Sequence, residues 1–288
     1  MTGTPWSGSG FQIGALNLDS FDPVTGVLWG TDADSFDGWG ATAGTLSPVQ
    51  KVRAHGAWAG DSFATARTMS LKGWAQAPTA LAASYAIDEL NAAVSLDPTL
   101  MTVTEAGRAR SMLVRRSDDV LPKYKDPQKR TFDWSIQVTA LDPRKFSPTL
   151  VASTFLPSTS GGLVVPYTVP YKIPAVTVSG QVSLFNPGNE TGPVRLRIDG
   201  PVSGPQVTHI GSKLALTFAS SLVLGVGEWL DIDMEKRTVL ANGQASRNKF
   251  ITSRGWSGFE PGPNTWAFTA AAFNAAAKLT VTATPADQ

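Results

Sequence analysis

Most of the chain alternates between apolar and polar residues, as β-strands with one buried and one solvated face do. The clearest case is residues 132–140, where Phe, Trp, Ile, Val and Ala occupy the even positions and polar residues the odd ones. Because successive side chains of a strand point to opposite faces, this pattern predicts a half-buried strand. It ends at the turn sequence Leu-Asp-Pro-Arg of residues 141–144.

Shorter alternating segments follow one another from residue 176 to the end of the chain. Turn sequences separate them, such as Asn-Pro-Gly-Asn at 186–189 and Pro-Gly-Pro-Asn at 261–264. Regular short strands with this punctuation predict an antiparallel β-sandwich. The alanine-rich residues 270–277 have helix propensity, but we interpret them as a hairpin connection, because Asn274 lies at their middle and alternating strands flank them.

One segment predicts an α-helix instead. Residues 79–95 follow Pro78, a favourable first helical residue, and the segment stops at Asp-Pro of residues 97–98. The apolar residues with helical spacing are Leu81, Tyr85, Leu90 and Val94. We therefore expect a single helix within a mainly β protein.

A proline- and glycine-rich stretch divides the chain into two predicted domains. Residues 150–174 contain four prolines and a Gly-Gly pair, and each proline lacks the N–H that a central strand needs. We predict an N-terminal domain at 1–150, a linker at 151–174 and a C-terminal sandwich at 175–288. The length of 288 residues suits two domains of about 150 residues each.

Composition and charge exclude several classes of protein. The net charge is +1, so the basic field of a nucleic-acid-binding domain is absent. The chain has no cysteine, which excludes disulfides, zinc–thiolate sites and a cysteine nucleophile. No apolar run approaches the roughly 18 residues of a membrane span, and the first residues lack a secretory signal. We expect a soluble protein without membrane insertion, made in a cytosol-like compartment.

The charges are segregated along the chain. Residues 1–50 hold five acids and no base, whereas residues 105–130 hold eight bases against four acids. Opposite patches of this kind can meet between subunits or within one subunit. The residues predicted for a subunit interface are Asp32, Asp34, Asp37, Arg108, Arg110, Arg115 and Arg116.

No catalytic constellation is visible in the sequence. The two histidines, His55 and His209, fall in different predicted domains, His209 in a strand and His55 in a turn or a core position. Nucleophile-elbow, phosphate-loop and dinucleotide motifs are absent, and residues 32–43 do not fit an EF-hand loop. We therefore predict no catalytic residue, no cofactor and no metal.

Two alternative functions stay open at this point. Asp231 and Asp233 lie on one face of a predicted strand, and paired carboxylates can hydrolyse glycosidic bonds. Apolar residues fill the other face, which makes the acids typical of an ordinary solvated face and a hydrolase the weakest hypothesis. Tryptophan stacks on sugar rings, so Trp256 with the two acids is a possible ligand platform. The second function is therefore a host-surface carbohydrate-binding module built on the C-terminal sandwich.

Several turn-rich segments follow one another in a distinctive order. An Ala-Leu-Asp-Pro strand end at 140–143 precedes a proline-punctuated aromatic segment at 161–170. Asn-Pro-Gly-Asn at 186–189 is followed by Pro and Gly at 193 and 200. Gly-Glu-Trp-Leu-Asp-Ile-Asp at 227–233 and a closing Trp, Pro-Gly and Asn between 256 and 264 complete the series. Taken in this order, the segments resemble the distal tail proteins of bacteriophages with long non-contractile tails.

The resemblance implies a fold and a role. The fold would be a β-barrel-like N-terminal domain with one helix, closing a six-membered ring around the tail channel, and an outward galectin-like sandwich. The role would be that of a structural, non-enzymatic virion protein at the tail tip or baseplate, made in the host cytoplasm. The implied partners are other copies in a homohexamer, the tail tube protein, the tape-measure protein and the tail-associated tip protein.

Overall fold

A computed structural model of the chain describes residues 10–32, 35–160 and 176–288. The chain forms two compact units. The N-terminal unit is Met1–Ser147 with Gln288, and the C-terminal unit is Pro148–Asp287.

The described part of the N-terminal unit contains thirteen strands and one helix, α1, at Ala80–Ala93. The strands are β1 (Gly10–Ile13), β2 (Leu16–Asn17), β3 (Leu28–Thr31), β4 (Gly44–Thr45), β5 (Val49–Gln50), β6 (Ala57–Trp58), β7 (Phe63–Ala64), β8 (Arg67–Gln76), β9 (Thr99–Glu105), β10 (Arg108–Arg116), β11 (Leu121–Tyr124), β12 (Thr131–Ala140) and β13 (Lys145–Phe146).

A strongly curved antiparallel sheet forms the body of this unit, in the order β2-β1-β9-β10-β12-β8-β3. Strand β10 makes the corner, because its first seven residues pair with β9 and its last two with β12. Strands β8 and β12 pair over their full ten residues. Strand β12 buries every second side chain, as its alternation predicts. The expected mainly β fold with a barrel-like sheet is confirmed.

The predicted helix exists, but its start differs from the prediction by two residues. Thr79 is the N-cap, and its Oγ1 accepts a hydrogen bond of 3.1 Å from the backbone N–H of Ala82. Pro78 therefore precedes the cap instead of being the first helical residue. A side-chain oxygen satisfies an otherwise unpaired N–H of the first turn, which explains why the helix begins here.

The predicted apolar face of α1 is wrong in part. Leu81 and Tyr85 are 65% and 64% exposed, whereas the helix buries Ala83, Ala86 and Leu90. A row of alanines lets the helix backbone approach the sheet closely, which a row of larger side chains does not. The two large residues are consequently left on the outer surface.

The described part of the C-terminal unit contains fifteen strands and a short 3-10 helix at Asn248–Phe250. The strands are β14 (Leu150–Phe155), β15 (Ser158–Ser160), β16 (Val176–Val178), β17 (Gln181–Asn186), β18 (Val194–Asp199), β19 (Val202–His209), β20 (Leu214–Phe218), β21 (Val223–Leu224), β22 (Trp229–Asp233), β23 (Thr238–Ala241), β24 (Ala245–Ser246), β25 (Ile251–Arg254), β26 (Gly262–Ala272), β27 (Lys278–Ala283) and β28 (Ala286–Asp287).

Two antiparallel sheets of six strands each make up the predicted sandwich. Their orders are β14-β27-β18-β22-β23-β24 and β17-β26-β19-β20-β25, with β21 beside β19 in the second. One hydrophobic core joins their inner faces, with Ile198 and Leu279 from the first sheet and Trp266 and Phe268 from the second. The prediction of a C-terminal antiparallel sandwich is confirmed.

The predicted hairpin connection at the alanine-rich residues 270–277 is confirmed for residues 273–277 only. Strand β26, which pairs with β19, extends to Ala272, and β27 begins at Lys278. Between them, the Asn274 side-chain oxygen accepts a hydrogen bond of 2.9 Å from the N–H of Ala276. An Asn side chain that binds nearby backbone competes with helix formation, so the alanine propensity does not prevail here.

The predicted linker begins later than residue 151. Strand β14 pairs with β27 along its whole length, so residues 151–155 form a strand of the sandwich. Leu150 and Ala152 of this strand pack against the C-terminal core, and Leu156 is buried in it. Apolar packing therefore holds this segment despite the nearby prolines. Residues 161–175 lie outside the described part of the chain, and the separate folding of the two domains stays a prediction.

Candidate interaction surfaces

The structure places the four predicted interface arginines together on β10. Arg108 and Arg115 are exposed, and Arg110 and Arg116 are partly buried. The predicted acids lie elsewhere in the N-terminal unit.

Asp32 directly follows β3, and Asp37 forms an isolated bridge with Ser70 of β8. Both carboxylates are exposed, whereas Asp34 lies outside the described residues. That these acids face the bases of a neighbouring copy stays a prediction.

One predicted interface arginine has its partners within the chain. Arg110 forms an ion pair with Glu105, and its guanidinium lies 5.2 Å from the ring centre of Trp39. Glu105 also accepts a hydrogen bond of 2.9 Å from the Trp39 indole N–H. Lys145 approaches the same ring to 5.0 Å and donates to the backbone oxygen of Trp39. Arg110 therefore holds the acidic segment of its own chain through Trp39.

A buried arginine that sequence reasoning missed fixes the same segment. Arg67, at the start of β8, is 0% exposed. It donates to the backbone oxygens of Pro143 at 3.0 Å and Gly38 at 2.9 Å, and also to that of Gly40. Burial, and secondarily the charge of Arg110, lower the pKa of Arg67 from its usual value. Because a guanidinium stays protonated in proteins, Arg67 is a buried cation, and its N–H groups donate to three backbone carbonyls.

Gly38 fits this packing because it has no side chain. Its φ is +85°, and a Cβ at this position would lie 2.1 Å from the backbone oxygen of Thr68. Only glycine tolerates both the positive φ and the close approach. The backbone at residues 38–40 is therefore firmly attached to the sheet.

Residues 41–66, which we call the arm, form a long hairpin beyond this attachment. Strands β4 and β7 pair near its base, and β5 and β6 pair near its tip. Its large apolar side chains are exposed, among them Val52 at 96% and Trp58 at 67%. The signal visible in the sequence was an apolar segment without acids between residues 38 and 60.

Helix α1 carries a second exposed apolar surface. Leu81 and Tyr85 lie one turn apart, and residues at this spacing share a face. Asp88 and Glu89 of the same helix are also exposed. We call these four residues the helix surface.

In the C-terminal unit, the structure brings together two of the three residues predicted as a ligand platform. Asp231 and Asp233 line a shallow depression of about 600 Å³ on the outer face of β18, β22 and β23. Asp231 accepts a hydrogen bond of 2.8 Å from the indole of Trp229, and Asp233 forms an ion pair of 3.5 Å with Arg195. Both acids therefore already have protein partners.

Trp256 is not among the residues that line this depression. It is partly buried and packs against the sandwich core. Trp229, which sequence reasoning did not select, is closer to the acids, but the Arg197 guanidinium covers its ring at 4.5 Å. Binding of a glycan by Trp256, Asp231 and Asp233 stays a prediction.

The histidines occupy structural positions. His209 is buried at the end of β19, the strand position that the sequence predicts. His55 lies in an exposed bend of the arm, which agrees with the predicted turn.

Within residues 10–32, 35–160 and 176–288, no group of three or more His, Asp or Glu side chains is arranged to hold a metal. In the same ranges, no helix has both the length and the apolar character to cross a membrane.

Comparison with known proteins agrees with this architecture. Residues 188–284 match the family described as siphovirus-type tail component, C-terminal domain. The crystal structure of the SPP1 Dit protein, described as a paradigm of hub adsorption apparatus in Gram-positive infecting phages, aligns with a TM-score of 0.65 and 10% identity. That alignment covers 96% of this chain and 98% of SPP1 Dit.

The phage P2 baseplate in its activated conformation with Ca aligns at a TM-score of 0.48 and 12% identity, over 95% of this chain and 97% of that one. No curated protein matches the sequence. The likeness to SPP1 Dit concerns the fold, and the family match concerns residues 188–284. The resemblance to the distal tail proteins of siphophages is confirmed to this extent: residues 188–284 are similar to the C-terminal domain of siphovirus-type tail components.

Proposed function

We propose that this protein is a structural hub of a siphophage tail tip, assembled as a ring of six copies. The observation that carries the proposal is the match of residues 188–284 to a siphovirus tail component within a chain that shares the Dit fold over 96% of its length. SPP1 Dit is described as part of a hub adsorption apparatus, and the proposal extends that role to this chain.

The N-terminal unit has the kind of surfaces that a ring requires. A ring closes through head-to-tail interfaces, in which two different surfaces of each copy meet. The bases of β10 and the exposed acids Asp32 and Asp37 are opposite in charge, which supports a contact of this kind between copies. We propose that this unit closes the ring and that the C-terminal unit is the galectin-like sandwich expected for the family.

In the assembled tail, the ring would join the tail tube protein to the tail-associated tip protein, with the tape-measure protein in its channel.

A purely structural role fits the chemistry of the candidate residues. Asp231 and Asp233 are engaged by Trp229 and Arg195, and His209 is buried. We therefore propose that the protein is not an enzyme.

Mass in solution tests the ring. The chain has a mass of 30.4 kDa, so six copies amount to about 182 kDa, six times that value. Native mass spectrometry of the purified full chain should show this species, and cryo-electron microscopy of virions should place it at the tail tip. A strictly monomeric protein that is absent from virions contradicts the proposal.

A further inference from the structure

Two enclosed guanidiniums surround one tryptophan of the N-terminal unit. Arg67, which is 0% exposed, donates to the backbone oxygens of Gly38 and Gly40. Trp39 stands between these two residues, and the Arg110 guanidinium lies 5.2 Å from the centre of its ring. The side chain of Arg110 is 14% exposed. Burial first, and the charge of Arg110 second, lower the pKa of Arg67, because both disfavour its charged form. We call Arg67 and Arg110 the arginine pair.

Within the described residues, each member of the arginine pair has a buried nitrogen without an acceptor. The nitrogens are Nη2 of Arg67 and Nε of Arg110, and neither has a hydrogen-bond partner among residues 10–32, 35–160 and 176–288. The same holds in these ranges for the buried Oγ1 atom of Thr42, two positions after Gly40. Buried donors without acceptors cost stability, so folded proteins contain few of them, and a bound water or ion commonly accounts for those that occur.

Two carboxylates near the arginine pair are used elsewhere or screened. Glu105 forms an ion pair with Arg110, but its side chain is 38% exposed, so water screens part of its charge. Asp142 precedes Pro143, an acceptor of the arginine pair, and forms its own ion pair with Arg144 at 2.6 Å. A buried cation needs a close counter-charge. Water would satisfy the free N–H groups, whereas an anion satisfies them and also balances the charge.

We propose that the arginine pair binds a small inorganic anion of the halide class, such as chloride. The anion accepts hydrogen bonds from Nη2 of Arg67, Nε of Arg110 and the Thr42 hydroxyl. Enclosure limits its size, because Arg67 has no exposed surface that the carboxylate of another protein could reach. Three donor groups also suit a single-atom ion better than a phosphate, whose oxygens need many more hydrogen bonds.

The anion completes the attachment of residues 38–40 to the sheet. It balances the charge of Arg67, the side chain that holds Gly38 and Gly40. Loss of the anion therefore weakens the backbone from which the arm extends. All of these groups belong to one chain, so the inference is independent of ring assembly and goes beyond the proposed function.

Thermal unfolding of the full chain in different sodium salts tests the site. Sodium chloride is compared with sodium gluconate, whose anion is too large to enter, at the same ionic strength so that screening is equal. The melting temperature is expected to be roughly 2–4 °C higher at about 0.2 M chloride, the shift given by an ion at several times its Kd. Sodium bromide should have the same effect as sodium chloride.

Substitutions locate the effect within the chain. Arg110→Met removes one guanidinium but keeps an unbranched side chain beside Trp39, and it should abolish the difference between chloride and gluconate. Thr42→Val keeps the volume, removes the hydroxyl and should reduce the difference. The matched control is Arg115→Met, at an exposed residue of the same strand as Arg110, which should retain the full difference. An undiminished chloride effect in Arg110→Met overturns the proposal.

Crystals grown in sodium bromide test the proposal without any substitution. An anomalous-scattering peak is expected within hydrogen-bonding distance of Nη2 of Arg67 and Nε of Arg110. The absence of this peak overturns the proposal whatever the melting temperatures show, because water then satisfies the buried donors and exposed bases account for any salt effect. Neither result bears on the hub proposal, which native mass and virion imaging test separately.

Discussion

The Nε2 atom of His209 lies 3.0 Å from the side-chain oxygen of Asn264, inside the C-terminal sandwich. The other ring nitrogen, Nδ1, accepts the backbone N–H of Ser212 at 3.3 Å and lies 2.7 Å from the Ser212 hydroxyl. Because the backbone N–H donates to Nδ1, the ring proton is on Nε2 and is donated to Asn264. The histidine thus ties the turn after β19 to the start of β26.

Asn264 is the centre of this network, and its loss should destabilise the sandwich. Its amide donates to the backbone oxygens of Glu260 and Gly262, and its oxygen accepts from the N–H of Glu260 as well as from His209. We expect Asn264→Ala to lower the free energy of unfolding by about 2–4 kcal/mol, since buried groups lose their partners. Urea unfolding followed by tryptophan fluorescence measures the change. Asn274→Ala, in an exposed turn, is the control, and an equal effect of the two variants contradicts the prediction.

Arg67→Lys should loosen the attachment of the arm. Lysine keeps the charge but lacks the planar fork that satisfies the backbone oxygens of Pro143, Gly38 and Gly40 together. We expect a loss of about 2–4 kcal/mol in the free energy of unfolding. Hydrogen exchange should become faster at residues 38–45. Arg115→Lys, at an exposed residue of β10, should change neither quantity, and unchanged exchange in Arg67→Lys contradicts the prediction.

The carboxylate of Asp126 should make stability depend on pH. Hydrogen bonds from the backbone N–H of Thr131 first, and of Arg130 second, lower the pKa of Asp126 below its usual 3.8. A depressed folded-state pKa contributes stability above the unfolded pKa, and this contribution is lost as the pH falls through the folded value. We expect Asp126→Asn to be less stable than wild type at pH 6 and to approach it below the usual pKa.

Urea unfolding at pH values from roughly 2.5 to 7, a range that spans the titration of a carboxylate, measures this difference in stability. The matched variant is Asp126→Ala, which removes the acceptor at every pH and should stay less stable than wild type throughout. A constant gap between wild type and Asp126→Asn over the whole range contradicts the prediction.

The bases of β10 should contribute to ring assembly through charge. Arg110 pairs with Glu105 of its own chain, so its reversal would disturb the N-terminal unit itself. We therefore expect Arg115→Glu/Arg116→Glu to reduce the hexamer fraction at low salt, and each single change to do little, since an exposed pair contributes about 0–1 kcal/mol. Sedimentation velocity at increasing salt measures the effect, because screening shortens to about 8 Å at 0.15 M. Normal assembly of the double variant at low salt contradicts the interface.

The C-terminal unit should need β14 for its stability. A fragment of residues 148–287 contains this strand, which pairs with β27 throughout, whereas a fragment of residues 176–287 lacks it. We expect the longer fragment to unfold at a higher temperature, because β27 becomes an open edge without β14 and Leu156 leaves the core. Calorimetry of both fragments checks this. Equal melting temperatures would place the domain start at residue 176 instead.

Alternation and turn chemistry determined much of the fold from the sequence alone. The ten residues of β12, the strand position of His209 and the connection at 273–277 all follow from local patterns. These features are local because a strand's period of two and the turn preferences of Asn, Gly and Pro act over a few residues. The ordered turn segments also carried the family resemblance that residues 188–284 confirm.

Tertiary structure alone decided which surfaces are buried and which charges are paired. The helix could be predicted, but the sheet it packs on selects the alanine face and leaves Leu81 and Tyr85 outside. In the sequence, Arg67 looks like an ordinary strand residue, but in the structure it donates to three backbone carbonyls that are distant along the chain. Arg110 contacts Trp39, which lies 71 positions before it in the sequence. Burial and ion pairing depend on neighbours far away in the chain, which the local pattern does not contain.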